Sequence, residues 1–258
     1  MKILISNDDG IESDGLWTLA AELRKVAQVL VMAPHQEQSG VGTAISLKRN
    51  IKVNRVESRL EGIEAYSVEG TPADSVIIAL QSLFPGEIDL VVSGINRGSN
   101  MGHDVFVSGT MGAAIQGYLH GIPSIAASLN GYDGPLHFKP CARIVALLAS
   151  MIRDGLLSEH MLLNINLPNL PLTELEGIEI TAQSEKSYCD SVEQDEEESG
   201  YYRIKRLPDL GTGINGSDLW ALQQNKISVT PLLDGTIANS LKDRLHELLP
   251  DLHHQLYK

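Results

Sequence analysis

Two adjacent carboxylates, Asp8 and Asp9, follow the apolar residues 3–5 near the start of the chain. An apolar run of this kind is typical of a strand that is buried on both faces of a parallel sheet. The two aspartates and Gly10 would then lie at the carboxyl edge of the sheet, where open parallel sheets bind their ligands. Paired carboxylates at such an edge predict a site for a hard metal ion.

The dipeptide Asp9-Gly10 is also a common hairpin turn. The residues that follow argue against a second strand, because Ser13 and Asp14 can cap a helix and apolar residues then recur at helical spacing as far as Val26. The segment is therefore interpreted as a strand, a turn and a helix. From this segment alone, a simple turn-and-cap role for the aspartates stays open.

Two further predicted strands end in polar residues. Ser39 lies in the loop after strand 28–33, and Asn96 follows strand 88–93. Because parallel strands end at the same edge of a sheet, these side chains are expected near the aspartates. Carboxylate, hydroxyl and amide oxygens suit Mg²⁺ or Mn²⁺ rather than a soft metal. The sequence thus predicts one divalent ion per subunit, with four candidate ligands: Asp8, Asp9, Ser39 and Asn96.

A phosphate site is predicted beside the metal. Ser108, Gly109 and Thr110 begin a helix, and free amides at a helix start attract anions. Ser108 or Thr110 acting only as a helix cap is the alternative. The chain contains no Gly-x-x-x-x-Gly-Lys-Ser/Thr motif and no complete dinucleotide fingerprint, which disfavours kinase and dehydrogenase functions.

Two other titratable residues are candidates for catalysis. His103 lies in the glycine-rich loop 94–104 and is a candidate proton shuttle, although a lone loop histidine is more often simply exposed. Asp74 stands three residues after Thr71 at a predicted helix start. The capping role explains Asp74 fully, so it is favoured over catalysis.

Composition limits the classes of partner. The 258 residues carry a formal charge of −13, which repels a nucleic-acid backbone, and no apolar run approaches the roughly 20 residues that span a bilayer. No signal-peptide pattern is present at the start, so a cytoplasmic protein is expected. Cys141 and Cys189 lie too far apart in sequence to suggest a zinc site or a disulfide scaffold.

The remaining elements follow from periodicity. An antiparallel excursion is expected over 51–56 and 65–68, and an exposed hairpin with the solvated acidic run 193–198 is expected within 181–206. Further helices are predicted at 139–153, 217–224 and 239–249, and further strands at 124–128, 161–167 and 227–230.

Taken together, the motifs resemble the survival protein SurE family of metal-dependent nucleotidases over most of the chain. Four ordered blocks carry the resemblance: Ile5-Ser6-Asn7-Asp8-Asp9-Gly10, Ala33-Pro34 with Gln38-Ser39-Gly40, Gly70-Thr71-Pro72-Ala73-Asp74, and Val92-Ser93-Gly94-Ile95-Asn96 through Gly109-Thr110-Met111-Gly112-Ala113-Ala114. The chain departs from the usual pattern at Ser75, at Phe106-Val107 and in the acidic load of 181–206.

The resemblance implies an α/β fold with a Rossmann-like three-layer core over 1–180 and a mostly parallel sheet. It implies a C-terminal hairpin and helix arm over 181–258, with strand 227–230 exchanged between subunits of a homodimer or homotetramer. It also implies hydrolysis of nucleoside monophosphates, as a 5′-nucleotidase, with 3′-nucleotidase and exopolyphosphatase activities as further candidates.

The expected mechanism is a single displacement in which Asp8 or Asp9 accepts the proton of the attacking water. Asn96, Asn100, Ser108 and the amides near Gly109 and Thr110 would stabilise the phosphoryl charge. An aspartyl-phosphate route remains open, since a carboxylate can also act as the nucleophile. A non-catalytic nucleotide-binding or metal-binding module is the alternative from a different class of function.

Overall fold

The fold is that of a computed structural model, which describes the chain except residues 133, 158–159, 186–187, 196–199, 209–210 and 233–234, and the side chains of 188–189, 206–208 and 235–238. The strands are β1 Lys2–Ser6, β2 Gln28–Pro34, β3 Val53–Val56, β4 Glu64–Val68, β5 Leu90–Arg97, β6 Ser124–Asn130, β7 Leu162–Pro168, β8 Ile178–Ile180, β9 Tyr188–Gln194, β10 Tyr202–Pro208 and β11 Ile227–Pro231. The α-helices are α1 Asp14–Leu23, α2 Pro72–Ile78, α3 Gly109–Leu119, α4 Phe138–Arg153, α5 Asp218–Gln223 and α6 Gly235–Tyr257.

The described residues form a nine-stranded sheet in the order β3-β4-β2-β1-β5-β6-β7-β11-β8. The six strands from β4 to β7 are parallel, whereas β3 runs antiparallel to β4 and β11 antiparallel to β7. The central strand β1 pairs Ile3 with Val29 of β2 and with Leu90 of β5. Because β1 and β5 are parallel neighbours, the residues that follow them meet at one edge of the sheet.

Helices cover both faces of this sheet. Ile3 and Ile5 belong to the core cluster that α1, α4 and α6 cover, while Leu4 points to the opposite face and packs with Val76 of α2 and Ala113 of α3. Alternate side chains of a strand point to opposite faces, so an unbroken apolar run is what a covered central strand needs. The predicted three-layer α/β fold with a mostly parallel sheet is confirmed.

Two boundaries differ from the sequence predictions. β5 extends through Asn96 and Arg97, which were expected in a loop, because they pair with Ser128 and Leu129 of β6 after a register irregularity. The predicted antiparallel pair is confirmed as β3 and β4, and β4 also pairs in parallel with β2, which joins this pair to the main sheet. The last helix runs on past Pro250, because buried leucines continue at helical spacing to Leu256.

The segment after residue 180 contributes to the main sheet and also forms a separate hairpin. β11 lies between β7 and β8 of the same chain, and α6 packs against α4. β9 and β10 form a two-stranded antiparallel sheet, as predicted, although 196–198 of the acidic run lie outside the described residues. Exchange of strand 227–230 between subunits stays a prediction, because a single chain is described.

Among the described residues, every helix is too short or too polar to cross a membrane. The thiol of Cys141 is free and lies buried in α4.

Candidate metal centre

Asp8 lies in the turn after β1, and its carboxylate is buried against the start of α3. The Thr110 hydroxyl donates a hydrogen bond to Asp8 Oδ1. A side chain at Gly109 would place its Cβ 2.8 Å from Asp8 Cβ, so only glycine allows α3 to approach this closely. Burial raises the pKa of Asp8, and the hydrogen bonds from Thr110 and from the backbone at Gly109 oppose that rise.

Asp9 points to β5. Its Oδ2 accepts a hydrogen bond of 3.2 Å from the backbone N–H of Arg97, and its Oδ1 lies 3.5 Å from Arg97 Nε. Its side chain is 3% exposed. Burial and the charge of Asp8 raise the pKa of Asp9 to about 6, although Arg97 acts in the opposite direction. Burial therefore disfavours the charged form of both neighbouring carboxyl groups.

Asn96 is brought to the same place by β5. Its Nδ2 donates a 2.7 Å hydrogen bond to the carbonyl oxygen of Gly98, and its side chain is largely buried. Because the amide nitrogen is engaged in this way, Asn96 Oδ1 is the atom left for a ligand. Asn96 directly precedes Arg97, whose backbone N–H is bonded to Asp9, so it lies next to the acidic pair.

The loop after β2 completes this edge. The backbone N–H of Gln38 donates a 2.7 Å hydrogen bond to the carbonyl oxygen of Asp8, which holds the loop against the aspartate turn. Ser39 follows directly but is exposed, and its hydroxyl donates to Glu37 Oε1 at 2.7 Å. Ser39 would have to rotate away from Glu37 to bind a metal ion. Sequence reasoning overlooked Glu37, whose charge contributes to the raised pKa of Asp9.

This donor set fits a hard divalent ion. Asn96 directly precedes Arg97, whose N–H bonds to Asp9, and Ser39 directly follows Gln38, whose N–H bonds to the Asp8 carbonyl oxygen. Carboxylate, amide and hydroxyl oxygens are the donors that Mg²⁺ and Mn²⁺ prefer. Among the described residues, no group of three or more His, Cys, Asp or Glu that could hold a metal ion is found. Burial is the main cause of the raised pKa of both aspartates, and a bound cation would favour their ionised forms.

The start of α3 faces Asp8. Ser108 caps the helix, because its Oγ accepts a 3.1 Å hydrogen bond from the backbone N–H of Met111. Gly109 packs on Asp8 and Thr110 bonds to it. The helix start thus holds a metal-ligand candidate in place, and binding of phosphate by these three residues stays a prediction.

Asn100 is turned into the sheet. Its Nδ2 donates to Ser128 Oγ at 2.9 Å, its backbone N–H donates to Asn166 Oδ1 at 2.8 Å, and its carbonyl oxygen accepts from Asn164 Nδ2 at 2.7 Å. These contacts anchor the glycine-rich loop on β6 and β7. The sequence analysis missed Asn164 and Asn166 of β7. Two amides at alternate positions of an otherwise apolar strand could have indicated that they bind a polar group on one face of the sheet.

His103 is exposed on a single 3₁₀ turn, Gly102–Phe106, and its ring lies 6.1 Å from that of Phe106. Within the part of the chain that the structure describes, no hydrogen bond or ion pair joins His103 to Asp8 or Asp9. Its role as a proton shuttle therefore stays a prediction.

The glycine-rich loop is clamped by the C-terminal part of the chain. Asp218, at the first position of α5, is fully buried, and its Oδ2 accepts a 3.0 Å hydrogen bond from the backbone N–H of Gly102. Its Oδ1 accepts from the backbone N–H groups of Ser184 and Leu219. Gln183 Nε2 donates to the Gly102 carbonyl oxygen at 2.6 Å. No local pattern in the sequence indicated this long-range contact.

Asp74 has the structural role that was predicted for it. It forms a reciprocal capping box with Thr71 at the start of α2. Its Oδ1 also accepts a 2.9 Å hydrogen bond from the backbone N–H of Ser46, which ties the loop after β2 to α2. Asp74 therefore has a structural role, in which it caps α2 and holds the loop after β2.

Comparison with known proteins gives a consistent family. The family model described as survival protein SurE matches residues 3–190. A 5′-nucleotidase SurE of Dehalococcoides mccartyi (strain CBDB1) is 42% identical over 90% of this chain and 88% of its own length. A 5′-nucleotidase SurE of Geotalea uraniireducens (strain Rf4) is 39% identical over 93% of this chain and 96% of its own.

The fold agrees with the same family. The crystal structure of the SurE protein from Aquifex aeolicus superposes with a TM-score of 0.77 at 31% identity, and the match covers 96% of this chain and 99% of that one. Sequence and structure therefore agree over almost the whole length. The chain belongs to the survival protein SurE family.

Proposed function

We propose that this protein is a metal-dependent phosphatase that hydrolyses nucleoside 5′-monophosphates to nucleoside and phosphate. The observation that carries the proposal is the pair of buried carboxylates, Asp8 and Asp9, which lies beside Asn96 and is held by the start of α3. The relatives that are about 40% identical over most of the chain are named 5′-nucleotidases. Both observations support the same reaction class.

In this proposal Asp8, Asp9 and Asn96 hold one Mg²⁺ or Mn²⁺ ion, and Ser39 joins them after its hydroxyl leaves Glu37. When bound, such an ion supplies polarisation of a phosphoryl oxygen and activation of water. The choice between the two metals is not fixed by the donor atoms, because both accept the same oxygen ligands.

The aspartates have the central task in hydrolysis. Thr110 fixes Asp8 through its hydroxyl, and the backbone N–H of Arg97 fixes Asp9. One of the two carboxylates accepts the proton of the attacking water, or else attacks phosphorus itself in the aspartyl-phosphate route.

The start of α3 and the glycine-rich loop are assigned to the substrate. Ser108, Asn100 and the amides of Gly109 and Thr110 contact the phosphoryl oxygens in this proposal, with His103 as a candidate shuttle. Asn100 would have to release Ser128 to donate its amide hydrogens to a phosphate.

We also propose that the protein works as a homodimer or homotetramer in the cytoplasm. Val192 and Ile204 are cross-strand partners in the β9–β10 sheet, and they are 62% and 74% exposed. Two-stranded sheets are only marginally stable alone in water, so this apolar face favours cover by another subunit. In this proposal, the C-terminal arm of a second subunit covers the apolar face, and strand 227–230 is exchanged between the subunits.

A phosphate-release panel tests the catalytic proposal. Nucleoside 5′- and 3′-monophosphates and polyphosphate are supplied with Mg²⁺, Mn²⁺ or chelator, and free phosphate is measured. We expect release from 5′-monophosphates that chelator abolishes, with the 3′-monophosphates and polyphosphate defining the range of substrates. Nucleotide binding without any phosphate release would support a non-catalytic binding module instead.

A matched pair of variants assigns the site. Asp8→Ala is expected to lose metal-dependent release, while Asp154→Asn should retain it because Asp154 is exposed and pairs with Arg153 at the C-terminal end of α4. Full activity of Asp8→Ala would show that the metal is held elsewhere. Single-turnover trapping of a phosphorylated protein would select the aspartyl-phosphate route over direct attack by water.

A further inference from the structure

Arg97 is a basic side chain at the end of β5 that contacts the acidic pair. Its Nε lies 3.5 Å from Asp9 Oδ1, and the side chain is 45% exposed. In the described part of the chain, Asp9 is the acidic partner found for it. The guanidinium therefore contacts the acidic pair and is also accessible from solvent.

The backbone around Arg97 is held firmly. The next residue, Gly98, adopts a φ of +103°, which favours glycine, and a side chain there would meet the Tyr132 hydroxyl. The Gly98 N–H donates to the Leu129 carbonyl oxygen at 2.8 Å, and the Gly98 carbonyl accepts from Asn96. Arg97 thus projects from a fixed strand end, so its side chain can move without the metal-ligand candidates moving.

The charges at this edge call for a second cation. Asp8, Asp9 and the nearby Glu37 are all acidic, and the whole chain has a formal charge of −13. A phosphate monoester arrives with further negative charge, and the Thr110 hydroxyl at the start of α3 is already used by Asp8. A single divalent ion would neutralise the two aspartates, so the charge of the phosphate would call for a further positive group, and Arg97 is a cation that the described residues place against the acidic pair.

We propose that Arg97 is a phosphate ligand that Asp9 holds in place until a metal ion binds. Once a metal ion neutralises Asp9, the guanidinium is free to turn to the phosphoryl oxygens, which its planar set of donors matches. The inference rests on the proposed function for the identity of the substrate. It adds a residue that binds the substrate and distinguishes an anionic phosphate from a neutral ligand.

A structural role for Arg97 predicts a different result. If the guanidinium only positions Asp9, its removal weakens metal binding, and phosphate binding weakens only as a consequence. If it binds phosphate, its removal weakens phosphate binding directly. Metal binding is then unchanged or tighter, because a positive charge no longer competes for Asp9.

The test compares Arg97→Gln and Arg97→Lys with Arg153→Gln. Arg153 is a matched control, since it is 41% exposed and pairs with Asp154 rather than with the acidic pair. Mn²⁺ affinity is measured without substrate from the electron paramagnetic resonance signal of the free ion. Phosphate affinity is measured from the rise in melting temperature that inorganic phosphate causes in the Mg²⁺-loaded protein.

We expect Arg97→Gln to bind phosphate about tenfold to a hundredfold more weakly, with Mn²⁺ affinity equal to or higher than that of the unmodified protein. Arg97→Lys should bind phosphate with an affinity between those of Arg97→Gln and the unmodified protein, because it keeps the charge but loses the planar donors. Unchanged phosphate affinity, or an equal loss of metal and phosphate affinity, would overturn the proposal.

These binding measurements do not depend on turnover. If the unmodified protein released no phosphate from any nucleotide, the proposed function would fail, while the two affinities would still decide the role of Arg97. If Arg97→Gln folds poorly, its melting temperature will show this. The phosphate and Mn²⁺ affinities of Arg97→Lys are then compared with those of the unmodified protein.

Discussion

The two neighbouring aspartates are held by different parts of the molecule. Asp8 is bound by the Thr110 hydroxyl at the start of α3, whereas Asp9 is bound by the backbone of Arg97 at the end of β5. One carboxylate is therefore positioned by a helix and the other by a strand. A change in either element is expected to disturb one metal ligand and leave the other in place.

At the residue scale, Thr110→Val tests the contact to Asp8. Valine has nearly the shape of threonine but donates no hydrogen bond, so Asp8 loses its preorganised orientation. We expect kcat to fall about 100-fold while the protein remains folded. Steady-state kinetics and circular dichroism measure the two effects.

Thr110→Ser is the matched control, because it keeps the hydroxyl and should retain most of the activity. A Thr110→Val protein as active as the unmodified one would show that Asp8 needs no such support.

The pH dependence of metal binding follows from the raised pKa of Asp9. Burial, together with the charge of Asp8, moves this pKa from 3.8 to about 6. The metal-free protein therefore loses stability as the pH rises between these two values, since ionisation is disfavoured in the folded state. A metal ion binds the ionised form, so it should raise the melting temperature more at about pH 7.5 than at about pH 5.

Differential scanning calorimetry with Mn²⁺ or chelator measures these increments. Asp9→Asn should reduce the pH dependence, and Asp8, whose pKa is also raised, accounts for the part that remains. Equal increments at both pH values would contradict the assignment of Asp9 as a ligand.

At the element scale, the clamp between α5 and the glycine-rich loop can be tested through Asp218. This buried carboxylate accepts hydrogen bonds from the backbone N–H groups of Gly102, Ser184 and Leu219. Asp218→Ala should lower the free energy of unfolding by about 2–4 kcal/mol, because buried donors lose their charged partner. Urea unfolding measures this loss.

Phosphate release should fall in the same variant, since the loop carries Asn100 and leads into Ser108. Asp251→Asn is the control, because Asp251 is exposed on α6 and accepts a bond from Gln255 of the same helix. An unchanged unfolding free energy for Asp218→Ala would show that the clamp is not needed for stability.

Elements with local signals could be predicted from the sequence. The apolar run of β1, the capping box of Thr71 and Asp74 and the cap at Ser108 each depend on residues close in sequence. The extension of β5 to Arg97 could not be predicted, because it depends on pairing with β6 across a register irregularity. Boundaries set by distant partners carry no local pattern.

The residues of the candidate site also divide into those that the sequence predicted and those that it did not. Asp8, Asp9 and Asn96 were predicted because they follow apolar strands, and the structure brings them to one edge of the sheet. The contributions of Glu37 and Arg97 were missed, since a charged residue in a loop or at a strand end usually faces solvent. Only the folded geometry shows that both act on Asp9.

At the scale of the whole molecule, the β9–β10 hairpin is amphipathic. Val192 and Ile204 lie opposite each other on one face, while Lys205 and Glu193 form an ion pair of 2.6 Å. Replacing Val192 and Ile204 with serine should shift the protein towards smaller species, because the apolar face no longer favours burial between subunits. Sedimentation velocity measures the change.

Lys205→Ser is the control, since it leaves both apolar side chains in place. A double variant that sediments like the unmodified protein would exclude the apolar hairpin face as an interface.

Asp8 and Asp9 follow β1 and Asn96 lies near the end of β5, and these two strands are neighbours in the middle of the nine-stranded sheet. Peripheral parts of a protein open at lower free energy than its central strands do. Amide hydrogens of β1 and β5 are therefore expected to exchange with deuterium only through global unfolding, whereas those of the hairpin exchange through local opening. On warming, the turn that carries Asp8 and Asp9 should therefore be among the last parts of the chain to lose its position.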